Sequence, residues 1–387
     1  MRTVVTRALC LTAPGVALAL LGLTGATVPA GAAGVARTAR PPVTVYVGSS
    51  LDGTVTPTRV ATNRPGRAIN THGANFMAAT PDGRTVYVCC RRGGTVTPIN
   101  TATDKAGRPI KVGEAQALLV GPYGKTLYAA GDGGVTPVRV ATNKPGKRIR
   151  IPSSLSSPFG FAGVAITPNG KTLYLLNGLS DTVIPVRTAS RTVGKAITVG
   201  SDPSAIAITP DGKTAYVASG FGTVTPINTA TNAALAPITV ASVPSAIVIT
   251  PNGRTAFVAG SSTVTPINTA TNQAGQPIPI LSPGSGTLDA MAITPNGKVL
   301  LVSGGGVSGH GEVTPVNTAT NTAGQPIAVR LGPIAIAITP DGKTAYVLNF
   351  GNGRVHGHTV TPIRIATLRA GRTIRVGVAP NSLVIAR

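Results

Sequence analysis

Two short motifs in this 387-residue chain have the residue types to hold a metal ion: His310-Gly-Glu312 and His356-Gly-His358. In an extended segment residues two apart point the same way, so each motif aims two donors to one side. Together they offer three imidazoles and a carboxylate, a set suited to zinc or another divalent transition metal. The competing expectation is ordinary solvated loop tips, where Gly, His and Ser are common.

The second chemistry is charge. The chain carries 34 Lys and Arg against 11 Asp and Glu, a net charge of +23. Residues 59–195 hold nineteen of the basic residues and 334–387 hold seven, while 204–333 hold only Lys213, Arg254, Lys298 and Arg330 against three acids. The candidate polyanion contacts are Arg108, Lys111, Lys144, Lys147, Arg148, Arg150, Arg369, Arg372 and Arg375, with Arg64, Arg67, Lys105, Arg191 and Lys195 in related places. Such an array attracts polyanions with salt-sensitive affinity, whether nucleic acid, cell-wall polymer or anionic lipid. Aromatics are scarce among these residues, which counts against recognition by base stacking. A plain solubility charge is the alternative.

Other motif matches dissolve on inspection. Gly304-Gly-Gly-Val-Ser-Gly309 fits the dinucleotide pattern and follows a strand, but another strand, at Val313-Thr-Pro, comes next where a helix is required. Asn169-Gly-Lys-Thr172 mimics the tail of a phosphate-binding loop without its upstream glycine. No nucleophile elbow and no paired zinc-ligand Cys motif is present. Cys89 and Cys90 stand adjacent at a strand end and draw no disulfide framework. A buried small residue beside a rim residue is expected, with a vicinal disulfide or reactive thiol as the alternative.

The elements that must position these residues come from a repeat of about 40 residues. One unit runs Ser204-Ala-Ile-Ala-Ile-Thr-Pro-Asp-Gly-Lys-Thr-Ala-Tyr-Val-Ala218, then Gly222-Thr-Val-Thr-Pro-Ile-Asn-Thr-Ala-Thr-Asn232, then Ala236-Pro-Ile-Thr-Val240. It reads as four strands, A to D, with a tight Pro-Asp-Gly turn between A and B. The Val-Thr-Pro or Val-Ile-Pro signature of strand C starts at Val55, Val96, Val135, Val183, Val224, Val264, Val313 and Val360. Strand B carries an aromatic at one register (Tyr46, Tyr87, Tyr128, Tyr174, Tyr216, Phe257, Tyr346), with Leu301 as the exception. Strands apolar on both faces, as in Ala205-Ile-Ala-Ile208, fit sheets sandwiched between neighbours in a ring and explain the positive mean hydropathy. The patterned sequence opens on a B strand, Val43 to Gly48, and closes on an A strand, Ser382 to Ala386, so first and last strands complete one shared blade. The expected fold is all-β: a single β-propeller of four-stranded antiparallel blades, eight in number, with seven plus a stray repeat as the alternative.

Thr-Ala-Tyr-Val-Ala-Ser (214–219) and Thr-Val-Thr-Pro-Ile-Asn-Thr-Ala-Thr-Asn (223–232) resemble the YVTN-type, or YncE-like, β-propeller repeat proteins. The likeness spans nearly all of 43–387, though Thr-Pro replaces the middle of the family's strand C. It implies the fold and says little of activity, because related propellers include surface proteins, lactonase-like enzymes and quinoprotein-like domains.

Arg2 and Arg7, an apolar run from Ala8 to Leu23 and Ala30-Gly31-Ala32 read as a signal peptide over 1–32, followed by a linker at 33–42 and the propeller at 43–387. Cleavage near Ala32 leaves a net charge of +21 and predicts a secreted or envelope-associated protein. Blade topology sends B–C and D–A connections to one face, where loop lengths vary and where all four histidines fall, with Asp52, Glu114, Asp132, Asp181, Asp202, Asp289 and Glu312. The expectation is a monomeric, exported binding or scaffold protein whose partner is another protein, a cell-wall polymer or another polyanion. The competing expectation is a lactonase-like or other hydrolase using carboxylates, histidines and a possible divalent metal on the loop face.

Overall fold

The computed structural model describes residues 42–89, 93–131, 133–155, 161–280, 288–305, 310–351 and 355–386. The expected signal segment, all of the linker but its last residue, and Cys90 lie outside them.

Every described element is a strand, and the strands form eight separate antiparallel sheets, which excludes the seven-bladed alternative. In blade 5 strand A is Pro203–Ile208, B is Thr214–Ser219, C is Thr223–Asn228, and D comes in two pieces, Ala233–Ala234 and Ile238–Thr239. The other blades repeat this order. Successive A strands touch around the whole circle, and Pro380–Ala386 lies between Pro333–Ile338 and Phe76–Ala79. Strand A is therefore innermost, and the protein is an eight-bladed β-propeller. The channel explains why strand A of blade 5 stays half-exposed while its strand B, of the same apolar composition, is almost wholly buried.

Blade 1 is assembled from both chain ends, as the sequence requires. Pro380–Ala386 pairs antiparallel with Thr44–Ser49, from Thr44 opposite Ala386 to Gly48 opposite Ser382, and leaves no open edge at the seam.

The break in strand D has a simple cause. The strand-C proline cannot donate to the ladder, and its carbonyl points to strand D, where Gly66 N–H reaches Pro57 O at 2.7 Å and Gly146 N–H reaches Pro137 O at 2.7 Å. In an antiparallel ladder the N–H and C=O of one residue face the same neighbour, so the missing donor also faces D. Strand B keeps its full set of bonds, and D pairs only before and after the gap. A side chain on the glycine at the gap would press on the proline ring, 3.2 Å away at Gly66 and 3.0 Å at Gly194.

Blades are locked to one another by the strand-B tyrosines. Tyr87 Oη donates to Asn143 Oδ1 at 2.7 Å, Tyr174 to Asn232 at 2.7 Å, Tyr216 to Asn272 at 2.6 Å and Tyr346 to Asn63 at 2.7 Å across the ring seam. Each acceptor sits in the C–D turn of the next blade with positive φ, between 53° and 57°, a conformation Asn tolerates better than most residues. Tyr46 uses Asp104 at 2.6 Å instead, and Arg59 balances that carboxylate at 2.7 Å. Burial raises these phenols; Tyr87, Tyr174, Tyr216 and Tyr346 are pushed up to about 12, with Asp82, Asp211 and Asp341 adding to the effect at Tyr87, Tyr216 and Tyr346.

A tyrosinate cannot donate the latch bond. Unfolded tyrosines ionise at about pH 10, so the latch contribution is complete below that and is lost as pH rises toward 12. In a Tyr123→Phe variant, which removes the exposed tyrosine, the thermal midpoint should hold to about pH 10 and then fall, with tyrosinate absorbance rising only as the ring unfolds; tyrosinate forming near pH 10 in the intact ring of this variant would contradict this. Tyr174→Phe should cost about 1 kcal/mol in denaturant titration. Asn232→Ala should cost more than Asn321→Ala, because Asn321 faces Phe257, which has no hydroxyl to orphan.

Candidate polyanion-binding edge

The broken D strand is the outermost element of each blade. Its gap and flanking pairs carry the exposed cations: Arg64 and Arg67 in blade 1, Lys105, Arg108 and Lys111 in blade 2, Lys144, Lys147 and Arg150 in blade 3, Lys195 in blade 4, and Arg369, Arg372 and Arg375 in blade 8. Blade 8 lies against blade 1 through the ring seam, so these five blades form one continuous arc. The corresponding places in blades 5, 6 and 7 hold Ala233 and Ala236, Gln273 and Gln276, and Thr322 and Gln325.

The register adds something the sequence did not reveal. Strand C ends on Asn100, Asn228, Asn268 and Asn317 in four blades, and these side chains cap the following turn, as where Asn100 Oδ1 accepts the Ala102 and Thr103 amides at 3.0 and 3.2 Å. In the other four the same place holds Arg59, Arg139, Arg187 and Arg364. Three of these stand directly opposite a second cation: Arg59 opposite Arg64, Arg139 opposite Lys144, and Arg364 opposite Arg369. Like charges so placed oppose folding by up to about 1 kcal/mol per pair. Among the described residues only Arg59 of these six has a carboxylate partner; the other ion pairs are Arg84 with Asp82 at 4.0 Å and Lys213 with Asp211 at 3.9 Å.

Arg148 departs from its neighbours. It is half-buried, and its guanidinium donates to Val112 O of blade 2 at 3.1 Å and to Gly131 O of blade 3 at 2.9 Å. It bridges two blades, so we assign it to structure and take the remaining eight candidates as the exposed set.

The metal candidates are not brought together. His310, His356 and His358 are exposed on or beside the lengthened B–C hairpins of blades 7 and 8, where strand C is Gly311–Asn317 and His356–Arg364. Among the described residues no group of three or more His, Cys, Asp or Glu is placed to hold a metal, and Glu312 has interactions of its own. Among the described residues His310, Glu312, His356 and His358 are thus not gathered into one ligand set.

Most carboxylates already have architectural work. Asp52 accepts the Val378 amide at 2.6 Å, binding blade 1 to blade 8, and Asp181 accepts the Asp202 amide at 2.8 Å. Asp82, Asp211 and Asp341 cap A–B turns, taking a hydroxyl from Thr80, Thr209 and Thr339 at 2.5 to 2.6 Å. Burial pushes Asp211 and Asp341 up, but the threonine hydroxyl, the following amide and the adjacent lysine together hold both below the usual carboxylate range. Asp289 and Glu312 are engaged as well, and Asp132 lies outside the described residues.

A polar ring at the channel mouth went unread in the sequence. Six residues before each turn proline, at the loop-face end of strand A, stand Asn75, Gln116, Ala162, Ser204, Ser245, Asp289 and Ile334, with Asn381 equivalent in blade 1. Ser204 and Ser245 donate to main-chain carbonyls of the next blade, Pro244 O at 3.0 Å and Leu288 O. Gln116 Oε1 and Asn381 Oδ1 are buried without a partner.

No protein-family model matches the chain, and no curated protein matches it. Solved structures do. The dihydro-heme d1 dehydrogenase NirN, solved in complex with DHE, superposes with a TM-score of 0.72 at 15% identity over 88% of this chain and 74% of that one. Hydrazine synthase from Kuenenia stuttgartiensis gives 0.53 at 19% over 81% and 95%. A functionally unknown protein from Desulfotomaculum acetoxidans gives 0.58 at 16% over 89% and 99%. At such identities the shared property is the propeller architecture.

Arg148→Gln should lower stability by about 1–3 kcal/mol, since two carbonyls lose a charged donor, whereas Arg150→Gln should be near neutral in the same denaturant titration.

Proposed function

We propose that this chain is an exported propeller of the YVTN type that binds an extended polyanion along the arc of blades 8, 1, 2, 3 and 4 and serves as a binding or scaffold protein outside the cytoplasm. The observation that carries it is the set of directly opposed cations, Arg139 with Lys144 and Arg364 with Arg369, which have no acidic partner among the described residues. A solubility charge needs only exposure and has no reason to sit opposite another charge of the same sign. An anion laid along the edge offsets that repulsion, and the five-blade arc gives a polymer a long track. Export is supported by Arg2, Arg7, the Ala8 to Leu23 run and Ala30-Gly-Ala32. Membership of the repeat family is supported by the strand-B and strand-C motifs.

The arc offers Lys and Arg and almost no aromatic surface, so recognition is of repeated phosphate-type groups along a flexible chain, without reading bases. Long-chain inorganic polyphosphate is a suitable probe. Its affinity should fall steeply with salt, and a variant with Arg108, Lys111, Arg369, Arg372 and Arg375 changed to Gln should have a salt slope shallower by up to about 0.7 for each contact removed. Lys213→Gln with Lys298→Gln, on the neutral blades, should leave binding unchanged. Equal losses from both variants would refute the arc.

A further inference from the structure

Eight equivalent positions in the C–D turns adopt left-handed backbone, with φ between 50° and 58°: Asn63, Asp104, Asn143, Arg191, Asn232, Asn272, Asn321 and Leu368. Six are Asn or Asp, which accept this conformation at low cost. Leu368 is explained by its neighbour, because it packs into the apolar cluster of Leu301, the residue that replaces the latch tyrosine in blade 7. Arg191 has no such explanation. It stands opposite Tyr128, whose hydroxyl bonds to Thr188 of the same turn and not to an Asn, and it holds a long cation in a conformation that a side chain of its type seldom adopts.

The seam between blades 1 and 2 shows what is missing. There Arg59, at the end of strand C, pairs with Asp104 in the turn of the next blade. Between blades 3 and 4 the same two places hold Arg139 and Arg191, so a cation stands where the first seam has its carboxylate. Arg139 already faces Lys144 across the ladder. Arg191 Nη2 lies 3.6 Å from where a side chain on Gly146 would begin, which sets the guanidinium over the gap in strand D of blade 3, beside the chain segment from Lys144 to Lys147. Arg139, Lys144, Lys147 and Arg191 are all exposed, and none has an ion pair among the described residues.

We propose that the seam between blades 3 and 4 is an anion subsite, in which Arg139, Lys144, Lys147 and Arg191 receive one phosphate-type oxyanion in place of the absent carboxylate. The planar guanidinium forks match the geometry of a tetrahedral oxyanion, and the two lysines add charge without directional demand. The subsite rests on the polyanion reading and names where the polymer is gripped. In this account Arg191 is kept at the expense of stability: Asn there would give Tyr128 the acceptor that the other latch tyrosines have and would relax the backbone.

The test uses the signal-free protein and inorganic pyrophosphate, with sodium chloride at equal ionic strength as the control. Pyrophosphate should raise the thermal midpoint of the wild type saturably, by roughly 2–5 °C. Arg191→Asn should abolish that rise and, with no anion present, unfold at a higher temperature than the wild type. A purely structural role for Arg191 predicts the reverse, a lower midpoint. The subsite is refuted if the wild type shows no rise beyond the chloride control, or if Arg191→Asn keeps the full rise. Polyphosphate titration of the same variant separates the two readings: a slope lowered by only about one contact leaves the arc standing whatever pyrophosphate does. Loss of salt-dependent polyphosphate binding in the wild type would refute the arc itself.

Discussion

A donor that is absent shapes the outer half of every blade. The strand-C proline turns its missing N–H toward strand D, so D can pair only in pieces of two or three residues on either side of a gap, as at Arg64–Pro65 and Ile69–Asn70. Two consequences follow. A long unpaired outer strand would invite edge-to-edge association, and the interruption removes it. The gap also pushes out the residue after its central one, which is glycine in seven blades and Leu235 in blade 5; the residue pushed out is Arg67, Arg108, Lys147, Lys195 or Arg372 in the five basic blades and Ala236, Gln276 or Gln325 in the others. One constraint thus blunts the edge and arms it.

Inward of that proline, the ring is held by bonds that cross from blade to blade. Tyrosine hydroxyls reach turn asparagines in the next repeat, and Asp52, Ser204, Ser245 and Arg148 make further crossings. Because the last latch, Tyr346 to Asn63, spans the join between chain ends, closure rests on side chains as well as on the Thr44–Ser49 pairing with Pro380–Ala386. A closed ring whose blades are tied in series can tolerate opposed like charges on its rim, and that tolerance is what the proposed binding edge exploits.

Much of this was legible in the chain. Repeated Val-Thr-Pro signatures and complementary terminal strands gave blade count and closure, since both depend on local pattern. The fixed strand-B aromatic gave a packing register but not its partner, which lies 56 residues on for Tyr87 and 58 for Tyr174, in a turn that looks generic when read alone. Arg148 looked like its surface neighbours because nothing in a repeat announces a lateral contact to Val112 O. The histidine motifs show the limit of spacing alone: a repeat count puts two loops on consecutive blades but does not fix where their side chains go, and among the described residues no group of three or more ligands forms there. The channel ring escaped notice because its position varies in chemistry from Asn75 to Ile334.

The central claim is that the charge arc is a binding surface confined to five blades. Lysine acylation footprinting with and without long-chain polyphosphate tests it most directly, because reactive lysines stand on both sides of the ring. Protection of Lys105, Lys111, Lys144, Lys147 and Lys195, with Lys213 and Lys298 left as reactive as in the free protein, is the predicted result. Uniform protection around the ring, or none on the arc, would contradict it.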